Sequence, residues 1–250
     1  MKIYWRVCEQ QETLSFVPRW NDYNKIDIIK KCWISLQKSL EYDGQDDHEI
    51  VVVEDDCSQN TLDYLKETAK IKRLSFHHVK PHPILDDEYV KGKTGHFIEV
   101  AELIDQGTKS QPDKIHFMCN DDFLFLPTAI AVMESVFVGG WKGFVIPYDY
   151  PDRYTIDNTR LCEVYMGEYN HWRTVPSCTS ITSAHGSTWQ QYMRSFKRNA
   201  YFNDDSWTWE AYSPAKTKAI CPIPGVATHL TKGCMTPYID WNEVWENIDV

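Results

Sequence analysis

Apolar residues in the first 140 positions fall into short blocks of two kinds. Lys2 to Cys8 is a short β-rich run, followed by a polar, irregular stretch from Glu9 to Asn24. From Asn24, a plausible N-cap, the apolar positions Ile28, Ile29, Cys32, Trp33, Leu36 and Leu40 share one helical face, and the polar cluster Tyr42 to Asp47 ends the helix. Ile50 to Val53 is a continuous β-branched run, the pattern of a strand covered on both faces. Ser58 or Asn60 then caps a helix turning Leu62, Leu65 and Ala69 inward, and Leu74 to Val79 offers a third strand. Lys91 to Gly95, KGKTG, reads as a glycine-bearing loop opening onto a helix with Phe97, Ala101 and Ile104 in register. Ile115 to Cys119 is a buried strand, Phe123 to Leu126 returns to apolar character, and Pro127 starts a helix carrying Ile130, Met133 and Phe137, closed by Gly139 and Gly140. This alternation of strand and helix predicts an α/β fold with a mostly parallel sheet and right-handed crossovers.

Beyond Gly140 the texture changes. Strand-like pieces at Gly143–Pro147, Leu161–Met166 and Thr179–Thr182 are separated by loops read at Pro147–Tyr154 and Asn170–Ser177. One helix is expected over Ser187–Lys197 and another after Asp204-Asp205, and the chain finishes through Gly225–Leu230 into a Trp-bearing tail. No internal repeat or low-complexity linker separates the halves, so residues 1–250 are expected to form a single domain.

Two strand ends carry unusual chemistry. Ile50–Val53 runs into Glu54, Asp55 and Asp56, and Ile115–Cys119 into Asn120, Asp121 and Asp122. Carboxylates at the end of a buried strand lose hydration unless something cationic faces them, and in an open α/β sheet ligands gather at the carboxyl ends of strands. Two such clusters on parallel strands open towards the same edge of the sheet. An N-capping or solvated-turn role is the simpler alternative for each.

Composition narrows the ligand. The net charge of −10 argues against a nucleic-acid groove, which needs clustered Lys and Arg, and an anionic ligand would need local help from a metal, an Arg or a helix N-terminus. The aromatic content of 14% suits surfaces that stack on flat or sugar-like ligands. The cysteines are scattered without a CxxC pair, as reduced core thiols are, and KGKTG departs from the phosphate-loop pattern. The opening MKIYWRVCEQ has no apolar signal region and no run of about 18 apolar residues occurs anywhere, so a cytoplasmic protein without a membrane span is expected.

Together these features resemble a known family. The segment VVVEDDCSQNT is similar to the VVVDDGSxDxT segment of GT-A glycosyltransferases of the family 2 type, and CNDDF stands in the place of their DxD motif. The downstream order PYDYPDRY, HWRT, a DD pair before an aromatic helix, and ATHL resembles a group of bacterial and phage glycosyltransferases. The resemblance implies a GT-A (Rossmann-like) fold, with residues 1–140 as the nucleotide-sugar-binding half and 141–250 as the acceptor-binding half.

It also implies roles. Asp56, with Asp55 beside it, would orient the nucleoside, and Arg6 would lie near the nucleotide. Asp122 and the late His229 would hold a divalent metal, Mn²⁺ or Mg²⁺, with Asn120 replacing the usual first Asp of the motif, Asp121 adjacent and Lys232 meeting the diphosphate. Asp205, supported by Asp204, would be the general base. Trp172, Arg173, Trp207, Asp149 and Arg153 are candidates for the sugar and acceptor surface, with Trp189 and Asp152 as further ones. The expected activity is transfer of a sugar from a nucleotide diphosphate donor, UDP-sugar by the resemblance, to a glycan, lipid-linked or small hydroxyl acceptor, with inversion. A sugar-phosphate nucleotidyltransferase and a non-catalytic carbohydrate-binding protein are the rivals. The first would carry a Gly-rich loop after the first strand, and Glu9–Asn24 contains no Gly.

Overall fold

The structure is a computed structural model. It describes residues 1–9, 20–80, 88–154, 162–167, 169–178, 180–202, 205–212 and 217–250, and for residues 88–95, 205, 207 and 210 the backbone alone. The first half runs β1 (Lys2–Cys8), α1 (Lys25–Asp43), β2 (Glu49–Asp55), α2 (Gln59–Glu67), β3 (Arg73–His78), α3 (Glu88–Ser110), β4 (Ile115–Asn120), β5 (Phe123–Phe125) and α4 (Ala129–Val138). The second half adds β6 (Phe144–Val145), β7 (Val164–Met166), β8 (His171–Val175), β9 (Thr182–His185), α5 (Gly186–Phe202), α6 (Trp209–Tyr212), β10 (Ala219–Ile223), β11 (Ala227–His229) and α7 (Trp241–Glu246).

The main sheet has the order β3-β2-β1-β4-β9-β6-β10-β8-β7. Its first four strands are parallel neighbours, β9 runs antiparallel to both β4 and β6, β10 is parallel to β6, and β8 and β7 add antiparallel pairs. The fold is therefore α/β and Rossmann-like, with a mostly parallel central sheet that draws strands from both halves of the chain. A separate two-stranded sheet pairs β5 with β11.

Strand alternation explains why helices cover both faces of β1. Trp5 turns towards α1, its ring 4.9 Å from that of Trp33. Tyr4 turns the other way, against α3, where Gly107 leaves room for it: a Cβ there would lie 1.9 Å from the Tyr4 hydroxyl oxygen. The capping expected at Asn24 is present, its side chain accepting from the Asp27 amide at 2.9 Å, and Gly44 closes the helix with φ 73°. Two serines on the buried face of α1 do further work. Ser35 Oγ accepts from the Phe125 amide at 3.1 Å and Ser39 Oγ from the Ile130 amide at 2.8 Å, which seats β5 and the start of α4 on α1.

Several sequence expectations need correction. KGKTG is not a loop: helix α3 runs through it. A mid-helix glycine costs about 1 kcal/mol, which a helix of 23 residues packed on α5 and the sheet overrides. The HWRT stretch, read as loop, is strand β8, and β10 was not anticipated. The strand expected at Thr179–Thr182 is displaced to Thr182–His185. No helix among the described residues is long and apolar enough to cross a membrane.

Candidate donor-site edge

Parallel register brings the acidic strand ends together. Cys8 of β1 lies opposite Asp55 of β2, and Arg6 lies between Val53 of β2 and Asn120 of β4. Both clusters thus open at the carboxyl edge of three adjacent strands, where an α/β sheet binds ligands.

The three residues after Cys119 have different surroundings. Asn120 is buried at the end of β4. Asp121 is 5% exposed and already engaged, its carboxylate accepting from the Cys8 amide at 3.0 Å and from Lys25 Nζ at 2.6 Å. It therefore ties β1, β4 and the start of α1 together, and its charge is balanced within the protein. Lys25 went unnoticed in the sequence, although a lysine in the first turn of a helix opposes the helix dipole and so signals another partner.

Asp122 faces His229. Its Oδ2 lies 3.1 Å from His229 Nε2, with both side chains partly shielded from water. The pairing follows from the small sheet: β11 sets His229 opposite Phe123, the two rings stack at 4.9 Å, and the Leu230 amide donates to the Asp122 carbonyl at 2.9 Å. Burial alone would lower the imidazole pKa, but the Asp122 charge and hydrogen bond outweigh it and raise it to about 9. Around this pair, the Tyr148 hydroxyl donates to the Cys234 carbonyl at 2.7 Å, and Cys234 Sγ lies 3.7 Å from the Tyr150 hydroxyl. Lys232 is exposed in the turn that follows His229.

The Asp122–His229 pair suits a hard divalent cation. Adjacent ligands of an octahedral ion with bonds of about 2.1 Å stand about 3 Å apart, close to the separation found here. A cation entering here displaces the proton that His229 Nε2 shares with Asp122 in its absence; the pair then offers one oxygen and one nitrogen, leaving other positions for substrate oxygens and water. A different cluster, Asp43, His48 and Glu134, also has metal-ligand character among the described residues. It lies at the opposite end of β1, where the Met1 amine sits 3.2 Å from His48 Nδ1 and 3.7 Å from Glu134, so it has no part in this edge.

At the end of β2, Asp55 is half-buried and its carboxyl pKa is raised, by burial and then by the charges of Asp56 and Glu54. Asp56 is exposed in a left-handed turn with φ 54°. The Arg6 guanidinium lies 3.7 Å from the Phe97 ring centre.

The expected sugar-facing residues divide. Asp149 is fully buried and its carboxylate is surrounded: Arg173 Nε and Nη2, the Tyr154 hydroxyl and Cys221 Sγ donate to it, and Arg153 lies at 3.6 Å. Arg153 also donates to the Ser177 carbonyl at 2.7 Å. Asp149, Arg153 and Arg173 therefore form an ion network around a buried carboxylate, because a carboxylate without water needs its cations close by. Trp172 is 3% exposed and packed in the core on β8, with no open face for a sugar. Trp189 is likewise core. Asp204 and the side chains of Asp205 and Trp207 lie outside the described residues; the Asp205 backbone opens a short 3-10 turn, Asp205–Thr208, leading into α6.

No protein-family profile matches the sequence, and no curated protein matches it. Among solved structures, the chain is similar to a galactosyltransferase, LgtC, in complex with donor and acceptor sugar analogues, with 8% identity and TM-score 0.43 over 84% of this chain. It spans 65% of the length of that enzyme. It is also similar to HddC from Yersinia pseudotuberculosis, with 11% identity and TM-score 0.46 over 99% of both chains. A third match is S. aureus TarS, with 12% identity and TM-score 0.45 over 81% of this chain and 33% of that one.

Proposed function

We propose that the protein is a glycosyltransferase that moves a sugar from a nucleotide diphosphate donor to a hydroxyl acceptor. The observation that carries this reading is the Asp122–His229 pair just past the end of β4, on the sheet edge where β2, two strands away, also ends in acid. A dianionic leaving group in a chain of net charge −10 needs a strong local cation. Helix dipoles supply only about half a charge each.

In this reading Asp122 and His229 hold Mn²⁺ or Mg²⁺, which supplies charge neutralisation for the departing diphosphate. Asn120 stands beside the donor as a neutral hydrogen-bonding group, Lys232 reaches the diphosphate, and Asp55, Asp56 and Arg6 face the nucleoside. Asp121 acts indirectly, by fixing the strand end that presents Asp122. Asp205, with Asp204, removes the acceptor proton, and displacement is direct with inversion; Trp207 faces the acceptor. These roles, and a uridine nucleotide as the default donor, are what the family resemblance implies. The two halves, 1–140 and 141–250, serve donor and acceptor within one domain, and a glycan, lipid-linked or small hydroxyl compound is the acceptor class.

The test is incubation with a panel of nucleotide-sugars and Mn²⁺, with nucleoside diphosphate release as the measurement. Release that depends on the metal supports the proposal. Pyrophosphate release from a nucleoside triphosphate and a sugar phosphate would favour a nucleotidyltransferase instead, and sugar binding without turnover would favour a lectin-like protein.

A further inference from the structure

His96 is a buried polar group at this edge that the proposed chemistry leaves unused. It is 4% exposed, on the turn of α3 that faces the end of β2, and its Nε2 lies 2.8 Å from the Val53 carbonyl. A carbonyl can only accept, so Nε2 carries the hydrogen. Burial, followed by the nearby Arg6 charge, holds the imidazole pKa well below its ordinary value, so the ring is neutral. Its Nδ1 is then a lone-pair acceptor. That atom lies 4.0 Å from Asp55 Oδ2.

Two acceptors at that separation do not bond to each other, yet both can reach one donor group. A nitrogen about 2.9 Å from each fits between them, provided it carries two hydrogens. Arg6, near the end of β1, stacks on the ring of Phe97, the residue after His96 on α3, and places a cation and ring beside this pair. Uracil and thymine meet such a pair badly. Their Watson–Crick edge has a single N–H flanked by carbonyl oxygens, so one protein acceptor would face an oxygen. A site built to pair with a donor discriminates strongly against a ligand that lacks it, because the buried acceptor loses its partner.

We infer that Asp55 and His96 form a base-reading pair that selects a nucleotide donor with an amino-bearing base, guanine, cytosine or adenine, over uracil or thymine. The inference rests on the reading of this edge as the nucleotide site and departs from its uridine default. The two are separable by experiment.

Calorimetric titration of the full chain with GDP, CDP, ADP, UDP and dTDP, each with Mn²⁺, is the test, with Mn²⁺-pyrophosphate as the base-free reference. One of the three amino-bearing nucleotides is expected to bind at least about tenfold tighter than UDP and dTDP, and which one does so names the base. Asp55→Asn replaces an acceptor by a donor and is expected to narrow that preference or reverse it towards UDP. A purely structural Asp55 would lower all affinities alike and leave the ratio unchanged. UDP or dTDP binding as tightly as the best amino-bearing nucleotide overturns the inference while leaving the donor-site reading intact. No nucleotide binding tighter than pyrophosphate overturns both.

Discussion

Asp122 and His229 stand 107 positions apart in the chain and meet at 3.1 Å because β11 lies antiparallel to β5. The small sheet is thus a device for bringing a late histidine to the end of a central strand. Its own position is set from below, where Ser35 on α1 accepts the Phe125 amide.

Removing either member should abolish metal-dependent donor binding. Asp122→Ala and His229→Ala are each expected to weaken Mn²⁺ affinity by at least about tenfold, since two of the protein's ligands become one. Isothermal titration with Mn²⁺, and nucleotide binding with and without EDTA, measure this. Donor affinity indifferent to EDTA in the parent protein would sink the metal assignment.

The proposed base should separate binding from transfer. Asp205→Asn keeps the shape and removes the proton acceptor, so nucleotide affinity is expected to stay within about twofold while sugar transfer falls by about 10²-fold or more. Retained turnover would refute the role.

The Lys25–Asp121 pair invites a stability test. Its side chains are 11% and 7% exposed, so Lys25→Met leaves a buried carboxylate without its cation, at a cost of about 3 kcal/mol. Adding Asp121→Asn should restore most of that loss, because the uncompensated charge is gone. Urea unfolding of the two single variants and the double variant measures the coupling. Additive losses would mean that the two groups do not interact as the geometry indicates.

How much of this could be read beforehand depended on whether the signal was local. Asn24, Ile28 through Leu40 and Ile50 through Val53 declare themselves by capping and periodicity, because those rules act over neighbouring residues. The shared edge for Asp55 and Asp122 followed from parallel topology alone. Local pattern could not show which acids were already balanced: Asp121 meets Lys25 across 96 positions and Asp149 meets Arg173 across 24. Nor could it separate a sugar-facing group from a member of an internal network such as Asp149 with Arg153 and Arg173, because both use the same residue types. Strand β8 was hidden for a related reason, since its Arg173 is satisfied by that network instead of by solvent.

The contact between α3 and α5 should set the acid limit of stability. Asp105 on α3 receives hydrogen bonds from Lys197 at 2.7 Å, Gln190 at 2.9 Å and Lys109 at 2.9 Å. Burial pushes its carboxyl pKa up, but these donors outweigh burial and hold it at about 2, against 3.8 for the free group. A carboxyl with a depressed folded pKa binds its proton more readily when unfolded. Its stabilisation is therefore complete above 3.8 and is lost as pH falls towards 2. A shift of this size corresponds to about 2 kcal/mol. Lys197→Met should remove much of it. Urea midpoints measured from about pH 6 down to about pH 2 are expected to show a gap between parent and variant that is widest near neutrality and shrinks at the acid end. A gap independent of pH would mean that Lys197 stabilises by packing its stem and not through the charge of Asp105.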